Sequence, residues 1–293
     1  MAYADSGGVR LYFEDVGRGT AIVFVHEFGG DLRSWEPQVR FFCRRYRCLA
    51  YNARGFPPSD VPQDVADYTY VHAADDVAAV MDAAGVDDAH VVGLSMGGFA
   101  ALHFGIRHRT RARSLMIGGI GYGAGKDTRA QFEADTLAFA ERFETLPTPE
   151  AIRPYAVNPY RVQFQNKDPR GWREFREQFG EHDGTGSANT LKGVLIGRPS
   201  LFDMDEELAG LDVPTLVYTG DEDEPCLEAG LHLKRTMPAA GLWMLPQTGH
   251  TVNLEEPDAF NRELLAFVSA VDGGAWLLRD PRSLGRSTLP DDA

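Results

Sequence analysis

The sequence predicts an α/β protein in which a mostly parallel β-sheet carries helices on both faces and a helical insertion interrupts the second half. Three observations predict this fold class. Short apolar runs alternate with segments of helical period, which is typical of parallel strands joined by crossover helices. The alternation stops between about residues 123 and 211, where the sequence offers no buried strand. The 293 residues, 43% hydrophobic and 25% charged, suffice for one large domain with an insertion.

Each predicted strand is a short run rich in apolar or β-branched residues. Residues 21–25 (AIVFV) are apolar without interruption, which predicts a strand buried on both faces. Residues 9–13 show an amphipathic pattern, which predicts a strand with one exposed face. The predicted strands are residues 9–13, 21–25, 46–51, 89–94, 114–117, 215–218 and 242–245.

Three segments outside the insertion have helical spacing. Residues 71–84 place Val77 and Val80 on one face, and residues 99–107 continue as a helix directly after a predicted strand. The last predicted helix begins near Pro257, because proline is favoured in the first helical turn. One face of this last helix carries Phe260, Leu264, Phe267, Val268 and Val271.

The prediction divides the chain into a core (residues 1–122), a helical cap (123–211), a second core part (212–272) and a tail (273–293). Aromatic residues recur in the cap at helical spacing. They predict either an apolar lid over a site or the core of the cap itself, and they include Phe164, Trp172, Phe175 and Phe179. The tail turns polar after its first residues, and we expect it to lie on the surface or to be partly disordered.

The net charge of −14 argues against nucleic acid and anionic membrane surfaces as partners, because an acidic surface repels phosphate groups. No apolar run is long enough to span a membrane, and the first residues lack the pattern of a secretion signal, so we expect a cytoplasmic protein. The three cysteines lack metal-binding spacing. Cys43 and Cys48 are expected to be reduced thiols of the core, and Cys226 a small packing residue.

The segment GLSMG, residues 93–97, places Ser95 between two glycines at a predicted strand-to-helix junction. A tight, strained turn at such a junction presents the serine hydroxyl above the sheet, and the glycines leave room for crowded backbone. The backbone N–H of Met96, at the start of the following helix, then points to the place where an oxyanion forms. The pattern predicts that Ser95 is a nucleophile. The alternative is that it only caps the helix.

A serine nucleophile needs a base, and the sequence offers one on the loop after the last predicted strand. His250 lies there, at the same edge of the sheet as Ser95. The carboxylate that orients the histidine is expected after the strand at residues 215–218, where four acidic residues follow one another. Asp223 is the preferred candidate and Asp221 the alternative.

Four segments together resemble the α/β-hydrolase superfamily, in the branch that carries a helical cap. They are residues 26–30 (HEFGG), similar to an oxyanion loop, 52–60 (NARGFPPSD), 93–98 (GLSMGG), similar to a nucleophile elbow, and 249–250 (GH), similar to a histidine loop. Order and spacing agree over roughly residues 9–271. The resemblance implies the α/β-hydrolase fold, a Ser–Asp–His triad in that chain order, and a mechanism without a metal or an organic cofactor.

The resemblance also implies roles within the first segment. Phe28 is implied to supply a second oxyanion N–H beside that of Met96, and His26 to support the loop. Glu27 departs from the superfamily, in which glycine is usual at this position. We expect its side chain to enter a hydrogen-bond or ion-pair network; the alternative is an acid–base or substrate-orienting group. Both His26 and Glu27 are therefore candidates for proximity to substrate. The prolines at residues 57–58, a second departure, stiffen their loop.

The predicted function is that of a serine hydrolase that cleaves a carboxylic ester or lactone through an acyl-enzyme on Ser95. The same residues would serve a carbon–carbon bond hydrolase acting on diketones, or a thioesterase. The alternative from another class is a receptor that keeps the fold and binds a ligand without catalysis. The expected partner is a small, partly apolar acyl substrate, and the protein is expected to be a monomer or a homodimer.

Further candidates for substrate contact lie in the cap. Trp172 is predicted to lie near the substrate. Arg161, Lys167 and Arg198 are candidates for binding a substrate carboxylate, but the prediction for each of these three is a solvated surface position.

Overall fold

The computed structural model describes residues 2–284, which form one eight-stranded sheet with helices on both faces. The strands are β1 (Ala2–Ser6), β2 (Val9–Gly17), β3 (Ala21–Val25), β4 (Arg47–Tyr51), β5 (Ala89–Leu94), β6 (Ala112–Gly118), β7 (Thr215–Gly220) and β8 (Ala240–Leu245). Their spatial order is β1-β2-β4-β3-β5-β6-β7-β8. The pairs β1/β2 and β2/β4 are antiparallel, and the other neighbours are parallel.

The helices connect these strands, and seven of them lie between β6 and β7. The α-helices are α1 (Glu36–Phe42), α2 (Tyr70–Ala83), α3 (Met96–Arg107), α4 (Arg129–Thr145), α5 (Thr148–Ala151), α6 (Arg153–Ala156), α7 (Val162–Lys167), α8 (Pro169–Gly180), α9 (Gly184–Asn189), α10 (Asp205–Ala209), α11 (Glu224–Thr236), α12 (Val252–Glu255) and α13 (Pro257–Asp272). Short 3₁₀ turns occupy Leu32–Trp35, Val65–Asp67, Arg109–Arg111, Pro159–Arg161, Leu201–Asp203 and Pro281–Leu284, and a π-helical turn spans Thr190–Leu195. None of the helices described is both long and apolar enough to cross a membrane.

The register of the parallel strands aligns their carboxyl ends. Val25 of β3 pairs with Gly93 of β5, Leu94 of β5 pairs with Gly118 of β6, and Gly118 pairs with Tyr218 of β7. The loops that follow these strands therefore meet above one edge of the sheet, which is where open α/β sheets usually bind ligands.

Alternate residues of the central strands pack into two cores on opposite faces of the sheet. In β3, Val23 and Val25 contact the core formed with α2 and α3, whereas Ile22 and Phe24 contact the core formed with α1 and α13. All five residues of β3 are buried, as the uninterrupted apolar run predicts. Strand β3 is therefore buried along its whole length, up to the edge where the loops meet.

The structure confirms the predicted fold class, and every predicted strand is present. Strands β3 and β5 have the predicted ends, and the ends of the others differ by one to four residues. The three predicted helices correspond to α2, α3 and α13. Strand β1 was missed because only Ala4 of its five residues is buried, which leaves too little apolar signal. It pairs with β2 across a turn in which Gly7 (φ +64°) and Gly8 (φ +89°) adopt conformations that favour glycine.

Residues 119–214 contain helices and no strand, and they pack over the carboxyl edge of the sheet. Their apolar residues join Phe28, Phe56 and Met96 of the sheet edge in a third cluster. The largest contributors from this helical insertion are Phe143, Phe164, Trp172, Phe175 and Phe179. The insertion therefore covers part of the edge where the loops meet. The boundaries of the insertion as a separate cap domain stay a prediction.

The first residues of the predicted tail pack against the core. The indole N–H of Trp276 donates to the Ala239 carbonyl (2.8 Å), and its ring lies 4.6 Å from that of Phe267 between centroids. Leu277, by contrast, is 76% exposed. The expectation of a surface position therefore holds for Leu277. It does not hold for Trp276, whose ring packs against Gly241 of β8. Residues 285–293 of the tail lie outside the described residues.

Candidate active site

Ser95 occupies the turn between β5 and α3 in a strained backbone conformation (φ +55°, ψ −117°). Residues other than glycine rarely adopt a positive φ, and such strain persists only where the surroundings enforce it. One enforcing contact is the hydrogen bond that the Ser95 N–H donates to the Gly118 carbonyl of β6 (2.7 Å). The residue remains partly exposed, as a side chain that must meet a ligand requires.

Three glycines make this turn possible because backbone segments approach one another closely. A Cβ on Gly93 would lie 2.8 Å from Gly98 N, and one on Gly97 would lie 2.6 Å from the His26 carbonyl oxygen. A Cβ on Gly98 would lie 2.8 Å from the Gly118 carbonyl oxygen. Real Cβ atoms essentially never come this close to backbone. The serine turn therefore packs directly against the loop after β3 and the end of β6.

His250 and Asp223 form a buried hydrogen-bonded pair on the loops after β8 and β7. His250 Nδ1 and Asp223 Oδ2 are 2.8 Å apart, and the residues are 3% and 1% exposed. Burial alone would lower the pKa of His250, but the Asp223 carboxylate raises that pKa above its ordinary value. Burial alone would raise the pKa of Asp223, but the same contact lowers it. A carboxylate on Nδ1 leaves Nε2 free to accept a proton.

Asp223, and not the alternative Asp221, contacts the histidine. The second carboxylate oxygen of Asp223 accepts a hydrogen bond from the Tyr122 hydroxyl (3.0 Å), and the Cys226 sulfur lies within 4.8 Å of this carboxylate. Asp221 instead accepts the Thr248 N–H (3.2 Å) and holds the loop backbone. Cys226 is buried, as expected, and its backbone N–H donates to the Asp223 carbonyl (2.8 Å).

The backbone around His250 is held by groups from two other segments. The Glu255 carboxylate accepts the N–H of Gly249 (2.8 Å) and that of Thr251 (3.0 Å). The N–H of His250 itself donates to the carbonyl of Tyr160, which belongs to the helical insertion (2.9 Å). The loop is thus clamped on both sides of the histidine, and its position depends on how the insertion is seated.

Gly119 connects the histidine to the serine turn. A Cβ on Gly119 would lie 2.8 Å from His250 Cε1 and 3.0 Å from Leu94 Cδ1, and Leu94 immediately precedes Ser95. The imidazole therefore packs on the backbone that follows Gly118, the residue that accepts the serine N–H. The predicted nucleophile, base and carboxylate all lie at this one edge of the sheet.

Two backbone N–H groups beside the serine turn lack a protein acceptor among residues 2–284. They belong to Met96, the first residue of α3, and to Phe28, on the loop after β3. Both residues are buried. Because a helix N-terminus carries partial positive charge, the Met96 position favours an anionic oxygen. That the two N–H groups serve one oxyanion stays a prediction.

His26 holds the loop that carries Phe28. Its Nε2 accepts the N–H of Ala53 (3.0 Å), so the proton resides on Nδ1, which donates to the Glu27 carbonyl (2.7 Å). Burial lowers the pKa of His26, which favours the neutral ring that these two bonds require. The ring thereby joins the loop after β3 to the loop after β4.

Glu27 forms a buried ion pair with Arg161 of the helical insertion, in agreement with the expected network. Arg161 Nη1 and Nη2 lie 3.1 Å and 2.5 Å from the two carboxylate oxygens, and the Tyr155 hydroxyl lies 3.1 Å from Nη2. Both charged residues are 1% exposed. The prediction of a solvated Arg161 is wrong, because Glu27 supplies the counter-charge that permits its burial. Burial alone would raise the pKa of Glu27, but Arg161 lowers it.

The Phe28 ring lies at the centre of an aromatic cluster. Edge-to-face contacts at 5.8–6.3 Å between ring centroids join it to Phe56, Phe139, Phe143, Tyr155 and Phe179. Trp172 belongs to the same apolar cluster, and its indole N–H donates to the Ala156 carbonyl within the insertion (3.0 Å). That bond leaves the indole no free polar group for a substrate. The packing favours the alternative in which the cap aromatics form their own core.

The predictions for the other two cap cations have different outcomes. Arg198 is 4% exposed, so a solvated position is wrong for it as well. Its guanidinium lies 3.7 Å above the Phe99 ring and donates to the Tyr122 carbonyl (2.7 Å), and these contacts replace water. Lys167 is partly exposed and pairs with Glu256 at 2.7 Å on the surface of the molecule.

Sequence reasoning did not identify Tyr122, Tyr160 or Glu255 as parts of the site. Each is an isolated tyrosine or glutamate outside any motif, so the sequence held no signal for them. Their contacts arise only when separate loops meet above the sheet.

Asp223, Cys226 and His250 also offer three potential metal ligands within 4.8 Å of one another. However, the short Asp223–His250 hydrogen bond already occupies the Nδ1 that a metal would need. These three residues therefore fit a hydrogen-bonded acid–base pair better than a metal site.

Known proteins share this architecture and sequence pattern. The Alpha/beta hydrolase family matches residues 22–263. A 2-hydroxy-6-oxo-6-phenylhexa-2,4-dienoate hydrolase of Burkholderia cepacia is 30% identical over 274 residues, which cover 89% of this chain and 91% of the relative. The 3-oxoadipate enol-lactonase 1 of Acinetobacter baylyi is 25% identical over 251 residues, with coverages of 86% and 89%. The crystal structure of the enol-lactonase from Burkholderia xenovorans has a TM-score of 0.79 at 25% identity and covers 91% of this chain and 99% of its own.

Proposed function

Since the chain belongs to the alpha/beta hydrolase family, we propose that it is a serine hydrolase that cleaves a carboxylic ester or lactone through an acyl-enzyme on Ser95. The observation that carries the proposal is the strained serine turn (φ +55°) at the same sheet edge as the buried Asp223–His250 pair (2.8 Å). A plain helix cap needs neither the strain nor a histidine with a free Nε2 beside it.

In the proposed reaction, His250 Nε2 removes the Ser95 proton as the oxygen attacks the carbonyl carbon. The N–H groups of Phe28 and Met96 donate to the resulting oxyanion, each contributing about 3 kcal/mol of transition-state stabilisation. Asp223 holds the imidazole and stabilises its protonated form. The protonated histidine then gives its proton to the leaving oxygen. Water, deprotonated by the same histidine, hydrolyses the acyl-enzyme.

The surroundings of the oxyanion donors support a partly apolar substrate. Phe28 and Met96 both belong to the apolar cluster that the sheet edge shares with the helical insertion. An acyl chain bound beside these groups would contact apolar side chains. The proposed chemistry is complete with protein groups alone, so no metal or organic cofactor is assigned. The expected monomer or homodimer state and the cytoplasmic location stay predictions.

A carbon–carbon bond hydrolase remains the second candidate on the same residues. It is favoured by the relative of Burkholderia cepacia, whose name gives an oxo-dienoate as its substrate. A thioesterase would use the same acyl-enzyme. These alternatives differ in the leaving group and not in the nucleophile, so substrate panels separate them.

The test combines labelling by a fluorophosphonate probe with hydrolysis of p-nitrophenyl esters, small lactones and a vinylogous diketone. We expect ester or lactone turnover that falls by about four to six orders of magnitude in Ser95→Ala. Ser269→Ala, at an exposed position on α13, is the matched control and should behave as wild type.

Other outcomes would change the assignment. Diketone cleavage alone would favour the carbon–carbon hydrolase. Retained turnover in Ser95→Ala would refute the nucleophile. No turnover together with no probe labelling would refute the enzyme and favour the ligand-binding receptor.

A further inference from the structure

Arg198 is an unusual buried cation. Two other arginines of residues 2–284 are buried, and each has a carboxylate partner: Arg54 pairs with Asp76 (2.6 Å) and Arg161 with Glu27 (2.5 Å). Within the described part of the chain, no carboxylate lies within ion-pair distance of Arg198, although it is 4% exposed. Burying an unpaired charge is costly, and buried guanidinium groups are normally paired.

The partners that Arg198 does have leave much of its hydrogen-bonding capacity unused. One Nη2–H donates to the Tyr122 carbonyl (2.7 Å), and the guanidinium plane lies over the rings of Phe99 (3.7 Å) and Phe132 (5.8 Å). Aromatic faces stabilise the charge but accept no conventional hydrogen bond. No acceptor among residues 2–284 meets the remaining N–H groups. A planar group with several free N–H donors matches a carboxylate in geometry and charge.

A neighbouring arginine adds to the positive charge. Arg129 Nη2 donates to the backbone carbonyl of Arg198 (3.1 Å), and Arg129 Nε pairs with Glu133 (2.7 Å). Burial, together with repulsion from Arg129, lowers the pKa of Arg198 to about 9. The group is therefore still charged at pH 7, and a bound anion would offset both unfavourable effects.

Arg198 lies next to the candidate active site. Tyr122 contacts both, because its carbonyl accepts from Arg198 while its hydroxyl donates to Asp223 (3.0 Å). Phe99, beneath the guanidinium, follows Ser95 by four residues on α3, which is about 6 Å along the helix axis. A ligand group on Arg198 would thus be separated by several bonds from a carbonyl positioned at Ser95.

We propose that Arg198 binds a carboxylate that the substrate carries several bonds from its reacting carbonyl, so that acidic esters or lactones are the preferred substrates. The proposal rests on the hydrolase function proposed for Ser95. Arg161 does not compete for this carboxylate, because Glu27 already occupies both of its terminal nitrogens.

The test measures binding without turnover, in the Ser95→Ala protein at pH 7. Monomethyl esters of linear dicarboxylic acids, from succinate to suberate, and the corresponding neutral dimethyl esters are titrated by calorimetry. We expect at least one monoester to bind about 10- to 100-fold more tightly than its diester, because a charge-assisted bidentate contact has that magnitude. Adding Arg198→Met should abolish this difference. Adding Arg170→Met, at a mostly exposed position on α8, should leave it unchanged.

Three results would overturn the proposal: no monoester binds better than its diester, the preference survives Arg198→Met, or Arg170→Met removes it as well. If Arg198→Met does not fold, Arg198→Lys replaces it. Lysine keeps the charge but lacks the planar guanidinium, so the preference for the monoester should shrink several-fold. An unchanged monoester preference counts against the proposal. Because binding needs no turnover, the carboxylate site and the hydrolase proposal fail independently. If the monoester preference is found but the wild-type protein hydrolyses no ester, only the hydrolase proposal is refuted.

Discussion

Replacing Glu27 with glutamine removes the negative charge of a buried ion pair while nearly keeping the size of the side chain. Arg161 would then remain 1% exposed without a counter-charge, with the Tyr155 hydroxyl, an amide oxygen and the rings of Tyr155 and Phe175 as partners. Both groups of the pair are charged at pH 7 in the wild type, since Arg161 lowers the pKa of Glu27. The change in the free energy of unfolding therefore reports the cost of burying an unpaired guanidinium.

Breaking one partner of a buried ion pair typically costs about 3–5 kcal/mol, because the other charge stays buried. For a chain of this size that loss lowers Tm by roughly 6–10 °C. Urea denaturation at pH 7 measures the free energy of unfolding directly. A cost of this size is a large fraction of the 5–15 kcal/mol that stabilises a typical domain.

The double variant Glu27→Gln/Arg161→Met separates the loss of the pair from damage to the site. It removes both charges, so we expect it to be more stable than Glu27→Gln alone and the two single effects to be strongly non-additive. Glu174→Gln, which breaks the exposed Arg170–Glu174 pair, is the control and should cost less than about 0.5 kcal/mol. A cost below about 1 kcal/mol for Glu27→Gln, or simple additivity in the double variant, would refute the reasoning.

Other predictions concern the serine turn and the histidine. Gly97→Ala should unfold the protein or abolish turnover, because the new Cβ would overlap the backbone of the neighbouring loop. The control is Gly230→Ala, whose Cβ would make only ordinary contacts and which should stabilise α11 by up to about 1 kcal/mol. Thermal melts compare the two variants. The acid limb of kcat/KM should lie above pH 6.5, because Asp223 raises the pKa of His250 and turnover needs the neutral imidazole. Tyr122→Phe removes one hydrogen bond from the carboxylate and should lower kcat/KM by about tenfold with little effect on Tm.

Each of these predictions has an opposing result. A stable, active Gly97→Ala protein would contradict the close packing of the turn. An acid limb at or below pH 6.5 would mean that desolvation outweighs the carboxylate at His250. Wild-type kinetics in Tyr122→Phe would show that the phenol does not support the triad.

The sequence was sufficient for seven of the eight strands and for the order of the proposed triad because both depend on local patterns. Uninterrupted apolar runs mark strands buried on both faces, and β3 conforms in every residue. Glycines on either side of Ser95 mark a turn in which backbone approaches backbone, and the structure has that turn. The edge on which His250 lies also follows from the chain, since the carboxyl ends of parallel strands share one side of a sheet.

The tertiary structure decided which charged groups meet. Four acidic residues follow β7, and the structure pairs His250 with Asp223, the candidate that the sequence favoured, while Asp221 holds the backbone of Thr248. The sequence also placed Arg161 and Arg198 in solvent, because an isolated arginine is usually exposed. Burial of Arg161 depends on Glu27, which is more than a hundred residues away along the chain. Burial of Arg198 depends on the aromatic faces of Phe99 and Phe132, which belong to two helices. Such partners are distant along the chain and adjacent only in space, so no local pattern encodes them.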